Sequence, residues 1–100
     1  MKNKKLLRVQ RVIEVYRKGT DDVLEEIDIS HIPLEQLLKI FEPYERGDPL
    51  LYDPYDINEE QLVKLNSYLQ NSITYDSSKY DYNLASFGVY IDTDTGRILE

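Results

Sequence analysis

Any chemistry in this sequence would fall to its carboxylates or, as the lesser reading against a structural or merely exposed role, to acid–base work by its one histidine, which stands just before Pro33 at an expected strand-to-helix junction. The chain carries nineteen Asp/Glu, a single histidine, His31, and no cysteine. Without cysteine there is no thiolate nucleophile, disulfide or Cys-built zinc site, and one histidine excludes a multi-His metal centre. Ser30 and His31 are adjacent, with no positioned acid to complete a hydrolytic set, and neither a Gly-rich phosphate loop nor a nucleophile elbow is present. The run Asp92-x-Asp94-x-Gly96 opens like a calcium loop. Such a loop needs its glycine at position 6 and a bidentate Glu at position 12; here the glycine is one place early, and the composition is that of an ordinary turn. Carboxylates paired at glycosidase separation would be the remaining route to catalysis. With nineteen acids on a short chain, close pairs arise without function. The expectation is therefore no catalytic residue, no metal and no cofactor.

Binding is the better reading, and it centres on one stretch. Phe41 to Gln61 holds three of the four prolines, Tyr44, Tyr52 and Tyr55, and seven carboxylates against one cation, Arg46. The long acidic connection inside it, residues 42–57, is of a kind that is usually either functional or disordered, and its tyrosines with Leu50 and Leu51 argue against disorder. Tyrosine supplies rigid contact area with a polar tip, and carboxylates around it orient and speed docking of a basic partner. The candidate partner-binding residues are Tyr44, Glu45, Asp48, Tyr52, Asp53, Tyr55 and Asp56. Asp76, Tyr80, Asp81 and Tyr82 repeat the chemistry and form a second rim expected to converge on the same surface. The bland alternative is that Leu50, Leu51 and Ile57 pin the loop to the core and the carboxylates only solubilise it.

The charge distribution agrees with a basic partner. Residues 1–18 carry seven Lys/Arg against Glu14, a balance of +6, which leaves −13 on the other 82 of the net −7. An acidic body repels nucleic acid and lipid headgroups. Contact of Lys2, Lys4, Lys5 and Arg8 with phosphates is thus disfavoured against a solvated basic tail over residues 1–5 leading into an edge strand guarded by its cations. No apolar run approaches the roughly 20 residues that span a bilayer, and the Lys-rich start lacks the apolar core of a secretory signal. A cytoplasmic monomer that binds neither nucleic acid nor membrane is expected.

The elements that must position these residues follow from hydrophobic period. One hundred residues make one domain, 1–100. Leu6 to Lys18 is a strand with Val9, Arg11, Ile13 and Val15 on one face and Val12 and Tyr16 on the other; Gly19 opens a turn, and Val23 to Ser30 completes a hairpin. Pro33 starts a helix of roughly ten residues whose Leu34, Leu37, Leu38 and Phe41 form one stripe, stopped by Pro43. Asn58 caps a second helix, with Gln61 reaching back and Leu62, Leu65 and Leu69 buried. Tyr80 to Ile91 alternates again, with Ala85, Phe87, Val89 and Ile91 opposite Tyr80, Tyr82, Leu84 and Tyr90; Ser86 and Gly88 suggest a bulge. Arg97 to Leu99 adds a short edge. The order is ββααβ: an α+β two-layer sandwich, an antiparallel sheet of three or four strands with its first strand central and two helices on one face.

The combination Glu25-Glu26-Ile27-Asp28-Ile29-Ser30, Pro33-Leu34 through Phe41, Asp48-Pro49-Leu50-Leu51-Tyr52-Asp53-Pro54-Tyr55-Asp56-Ile57 and Tyr80-Asp81-Tyr82 resembles a family of small bacterial domains of undetermined biochemical function, over residues 8 to 85. In size and acidity the chain also looks like the immunity proteins that protect bacteria from contact-dependent or polymorphic toxins. That second resemblance implies a cytoplasmic inhibitor binding one cognate toxin domain, often a nuclease whose active cleft an acidic surface would occlude. It assigns no individual residue. The alternatives are a small adaptor or structural interaction module using the same face, and an enzyme acting through paired carboxylates.

Overall fold

The computed structural model describes residues 3–42, 48 and 50–99. Its elements are β1 (Lys4–Arg17), β2 (Val23–Asp28), α1 (Leu34–Ile40), β3 (Tyr55–Asp56), α2 (Glu59–Asn66), β4 (Tyr80–Asp92) and β5 (Ile98–Leu99). The class is α+β, with an antiparallel sheet in the order β2-β1-β4-β3 and β5 also on β4. The first strand is internal, as expected. The order of elements is ββαβαββ rather than ββααβ, because two residues of the acidic connection pair with β4 at Leu84 and Asn83. So short a strand has no period to read.

Strand β1 begins earlier than a tail over residues 1–5 allows: Lys4 and Lys5 already pair with Asp92 and Ile91. The Gly19 turn joins β1 to β2 with a left-handed φ of 72°, a conformation that costs glycine nothing. Irregularities fall between Leu6 and Arg8 and between Val15 and Tyr16, not at Gly88. At Gly88 the Tyr90 ring lies over the backbone: a Cβ there would meet it at 2.8 Å, and the ring would have to swing aside.

Helix α1 spans seven residues, with Pro33 as its N-cap residue and Phe41 extended at its end. Leu37 and Phe41 are buried while Leu38 stays exposed, since a helix of two turns presents only a narrow stripe. The expected stop at Pro43 lies outside the described residues. Helix α2 forms as its sequence dictates: Asn58 Oδ1 accepts from the Gln61 N–H (2.8 Å), and Gln61 Oε1 accepts from the Asn58 N–H (2.9 Å). This reciprocal cap satisfies two N–H groups that a helix start leaves without partners.

Leu37, Phe41, Leu62 and Leu65 of the helices join Ile13, Val15, Tyr82 and Leu84 of the sheet in one buried cluster, together with Leu51, Tyr55 and Ile57 of the connection. The connection is thus partly core. No helix among the described residues is long and apolar enough to cross a membrane.

Candidate functional site

The acidic connection divides at Tyr55. Its first half is built around Asp48, which is only 4 % exposed. Asp48 accepts from the Tyr52 N–H at 2.7 Å, the Asp53 N–H at 3.1 Å and the Tyr55 hydroxyl at 2.6 Å. Loss of hydration alone would push this carboxyl up. The three donors, helped by the charge of Arg11, outweigh it and hold Asp48 below the usual carboxylate range. The carboxylate is sealed by its own loop rather than set deep in the core.

Arg11, from the middle of β1, is buried beneath the same loop and donates from Nη2 to the Leu50 carbonyl at 2.8 Å. Burial lowers its pKa, against the opposing pull of Tyr52 and Asp48. Between them Leu51 takes a left-handed φ of 55°, an unfavourable conformation for a branched side chain, with that side chain fully buried. Ser86 Oγ donates to its carbonyl at 2.8 Å, and its N–H donates to the Asp48 carbonyl at 3.2 Å. Packing and hydrogen bonds from three segments thereby hold the strained residue in place.

These facts remove Asp48 and Tyr55 from the expected docking surface. Both are buried and turned into the loop's own bonding. Tyr52 and Asp53 remain exposed, and Tyr44 and Glu45 lie outside the described residues.

The second half opens onto a cleft of about 710 Å³ at the end of the sheet. Asp56 comes to it from β3, Tyr80, Asp81 and Tyr82 from the start of β4, Tyr16 and Lys18 from the end of β1, and Asp21 from the hairpin turn. Register brings this about: Tyr16 pairs with Asp81, and Asp56 with Asn83. So the expected convergence of two acidic tyrosine groups holds for Asp56 with Tyr80, Asp81 and Tyr82. Tyr52 and Asp53 do not line this cleft. Tyr82 contributes as a buried wall, 4 % exposed, rather than as a presented side chain.

That wall is braced by aromatic contacts. Tyr82 stacks on Tyr75 at 5.0 Å and meets the edge of Tyr80 at 6.3 Å. Its hydroxyl donates to the Thr74 carbonyl and accepts from the Asp76 N–H. Asp76, expected on the binding rim, instead closes a local turn through the Ser78 hydroxyl at 2.6 Å and the Ser78 N–H at 3.1 Å. The Ser78 hydroxyl leads in holding its carboxyl below the ordinary range.

Within the cleft, Asp81 is tied to the hairpin. It accepts from the Gly19 N–H at 3.1 Å and meets Lys18 Nζ at 3.1 Å; these two partners, the N–H first, lower its pKa. The Asn83 amide, in the orientation that satisfies both ends, donates to the Tyr82 carbonyl and to Asp56 Oδ1, each at 2.9 Å. Tyr16 donates to Glu14 at 2.8 Å, a bond that raises the phenol's pKa. The cleft is therefore lined by three aspartates and four tyrosines, Tyr82 among them as the buried wall, around one lysine already paired with Asp81. A cationic side chain fits that chemistry: carboxylate oxygens for the charge, ring faces for its stem.

Asp81 is displaced downward, the direction opposite to that of a carboxyl tuned as a general acid. Among the described residues no group of three or more His, Asp or Glu converges as a metal set. His31 lies elsewhere, exposed, its Nε2 2.9 Å from the Tyr68 carbonyl, at a second groove between β2 and residues 68–74. Tyr16, Asp21 and Asn83 were legible only through strand register: Tyr16 falls on the sheet face opposite the core, and only the pairing of β1 with β4 sets it beside Asp81.

A family model described as Domain of unknown function (DUF7683) matches residues 10–85 of the chain. No curated protein and no solved structure matches it.

Proposed function

The chain belongs to the DUF7683 family; from the cleft and the chain's charge distribution we propose a non-catalytic, cytoplasmic binding protein of the immunity type, which neutralises a basic toxin domain by taking one of its cationic side chains between Asp21, Asp56 and Asp81. One observation carries this reading. Aspartates from three separated segments converge on a concavity whose one lysine is already paired with Asp81. A solubilising surface has no need to gather them. In this reading the two helices form a single layer over one sheet face, and the cleft end of the sheet stays open to the partner. The −13 of residues 19–100 adds long-range attraction, which accelerates encounter with a basic protein and weakens with salt.

The test uses the full chain, tagged, in its producing bacterium at low salt. A basic partner should be retained, released by rising salt, and lost when Asp21 and Asp56 are both changed to Lys; Asp53→Lys, outside the cleft, should leave retention unchanged. Expression of that partner alone should arrest growth, and co-expression of the chain should restore it. If both double and single variants retain the partner like wild type, the cleft is not the contact. A retained partner without toxicity would favour the second reading, an adaptor for an ordinary host protein through the same cleft.

A further inference from the structure

The other side of the sheet carries a different signal. Strand β2 pairs with β1 only between Val12 and Tyr16. The ladder is closed off just beyond, where the Ile29 N–H donates to the Arg11 carbonyl at 2.8 Å and the Arg11 N–H donates to Ser30 Oγ at 3.0 Å. From Gln10 back to Lys4, β1 is bonded to β4 on one edge, and no strand among the described residues takes the other. The outward edge of β2 is likewise unpaired among them. The sheet therefore ends in a step: a notch beside Lys4–Gln10, then the six-residue β2 standing one strand further out.

Notch and step are complementary. The notch strand reads Lys-Lys-Leu-Leu-Arg-Val-Gln, with three cations and no acid; β2 reads Val-Leu-Glu-Glu-Ile-Asp, with three acids and no cation. Register places Lys5 and Arg8, opposite Ile91 and Val89, on the same sheet face as Glu26 and Asp28. Lys4 and Glu25 share the other face by the same count. Four exposed large apolar side chains lie on these two edges, Leu6 and Leu7 on the notch and Val23 and Leu24 on β2. Unpaired backbone, exposed apolar groups and opposite charge thus coincide on two strands of matching length.

We propose that the chain forms a two-fold homodimer in which β2 of each copy fills the notch beside Lys4–Gln10 of the other, joining the two sheets into one. An axis perpendicular to the sheet brings this about. It sets the two β2 strands end to end in one row between the two β1 strands, each parallel to the β1 it newly meets. Such an interface is self-complementary and closed, so it stops at two copies. Cations on an edge strand ordinarily guard against pairing. Here they repel a second β1 and select an acidic strand, so the guard acts as a specificity element.

The association state of the full chain, measured by sedimentation or light scattering across concentration and salt, decides the matter. Wild type should be a dimer that loosens as salt rises. A variant with Lys4, Lys5 and Arg8 all changed to Glu, and another with Glu25 and Glu26 changed to Lys, should each dissociate about 100-fold more readily, since like charges face each other across both contacts. Mixed in equal amounts they should form a heterodimer, because each contact then joins opposite charges again. That rescue separates the interface from simple misfolding of either variant. A monomeric wild type, a dimer indifferent to both reversals, or a mixture that stays dissociated would each overturn the proposal.

Discussion

The loop around Asp48 and the cleft around Asp56 are neighbours in sequence and near twins in composition, each built of Asp and Tyr, yet they do opposite work. Asp48 meets three donors from its own chain within seven residues, under cover of Leu51 and Arg11. Both of its oxygens are engaged internally, so it fixes a loop. Asp56 receives one side-chain amide, faces a concavity and leaves acceptor capacity open. The difference between scaffold and candidate site is thus where the donors come from. Tyrosine divides the same way: the Tyr55 hydroxyl is bonded inward to Asp48, whereas the Tyr80 ring lines the cleft.

Asp48 carries the larger structural load of the two aspartates. Asp48→Ala removes the acceptor of two loop N–H groups and of the Tyr55 hydroxyl, and takes from buried Arg11 the opposing charge of Asp48, at a cost of about 3 kcal/mol. For a domain of this size that is a fall in Tm on the order of 10–20 °C, to be read by thermal and urea unfolding. A loss like that of an ordinary surface substitution would remove the Asp48 knot from the account.

Acid unfolding probes the same group without cutting it. Because the folded-state pKa of Asp48 is depressed, its contribution is complete above the unfolded carboxyl value of about 4 and is lost as pH falls through the lower folded value. Wild-type stability should therefore decline below about pH 4, and Asp48→Ala should show a shallower decline over that range. Parallel curves would mean that this carboxylate is not tied up in the fold.

How much of this was legible depended on whether the signal was local. The Asn58–Gln61 cap and the burial of Leu62 and Leu65 followed from spacing alone, because a capping box closes within four residues. The division of β4 into two faces was legible for the same reason: alternation separates Tyr82 and Leu84 from Phe87, and the structure buries the first two and leaves Phe87 exposed. The buried role of Asp48 was not, since it depends on Arg11 arriving from β1 and on Leu51 adopting a left-handed turn that its residue type disfavours. The cleft was half legible. Asp56, Tyr80 and Asp81 stood out by composition, whereas Tyr16, Asp21 and Asn83 are ordinary strand and turn residues until the pairing of Tyr16 with Asp81 brings them together.

A narrower cut through the knot is Tyr55→Phe, which removes only the hydroxyl bonded to Asp48 at 2.6 Å. The ring's contact with Phe41, 6.1 Å between centroids, survives. The expected loss is about 1–2 kcal/mol in urea unfolding, clearly smaller than that of Asp48→Ala. Equal losses would mean that the hydroxyl alone anchors the loop and that the Tyr52 and Asp53 N–H bonds add nothing.

The smallest expected effect is the most discriminating. Asp56→Asn keeps the side chain's shape and an oxygen to accept from Asn83 while removing one charge from the cleft. An exposed carboxylate with a single amide donor contributes little to folding, so stability should change by less than about 0.5 kcal/mol. Capture of a basic partner should nevertheless weaken, and its salt dependence should flatten, because one of three aspartates no longer draws the cation in. The two readouts must part company for the division at Tyr55 to hold. If Asp56→Asn destabilised the fold as Asp48→Ala does, the cleft would be a second structural knot, and the contrast between inward and outward carboxylates would collapse.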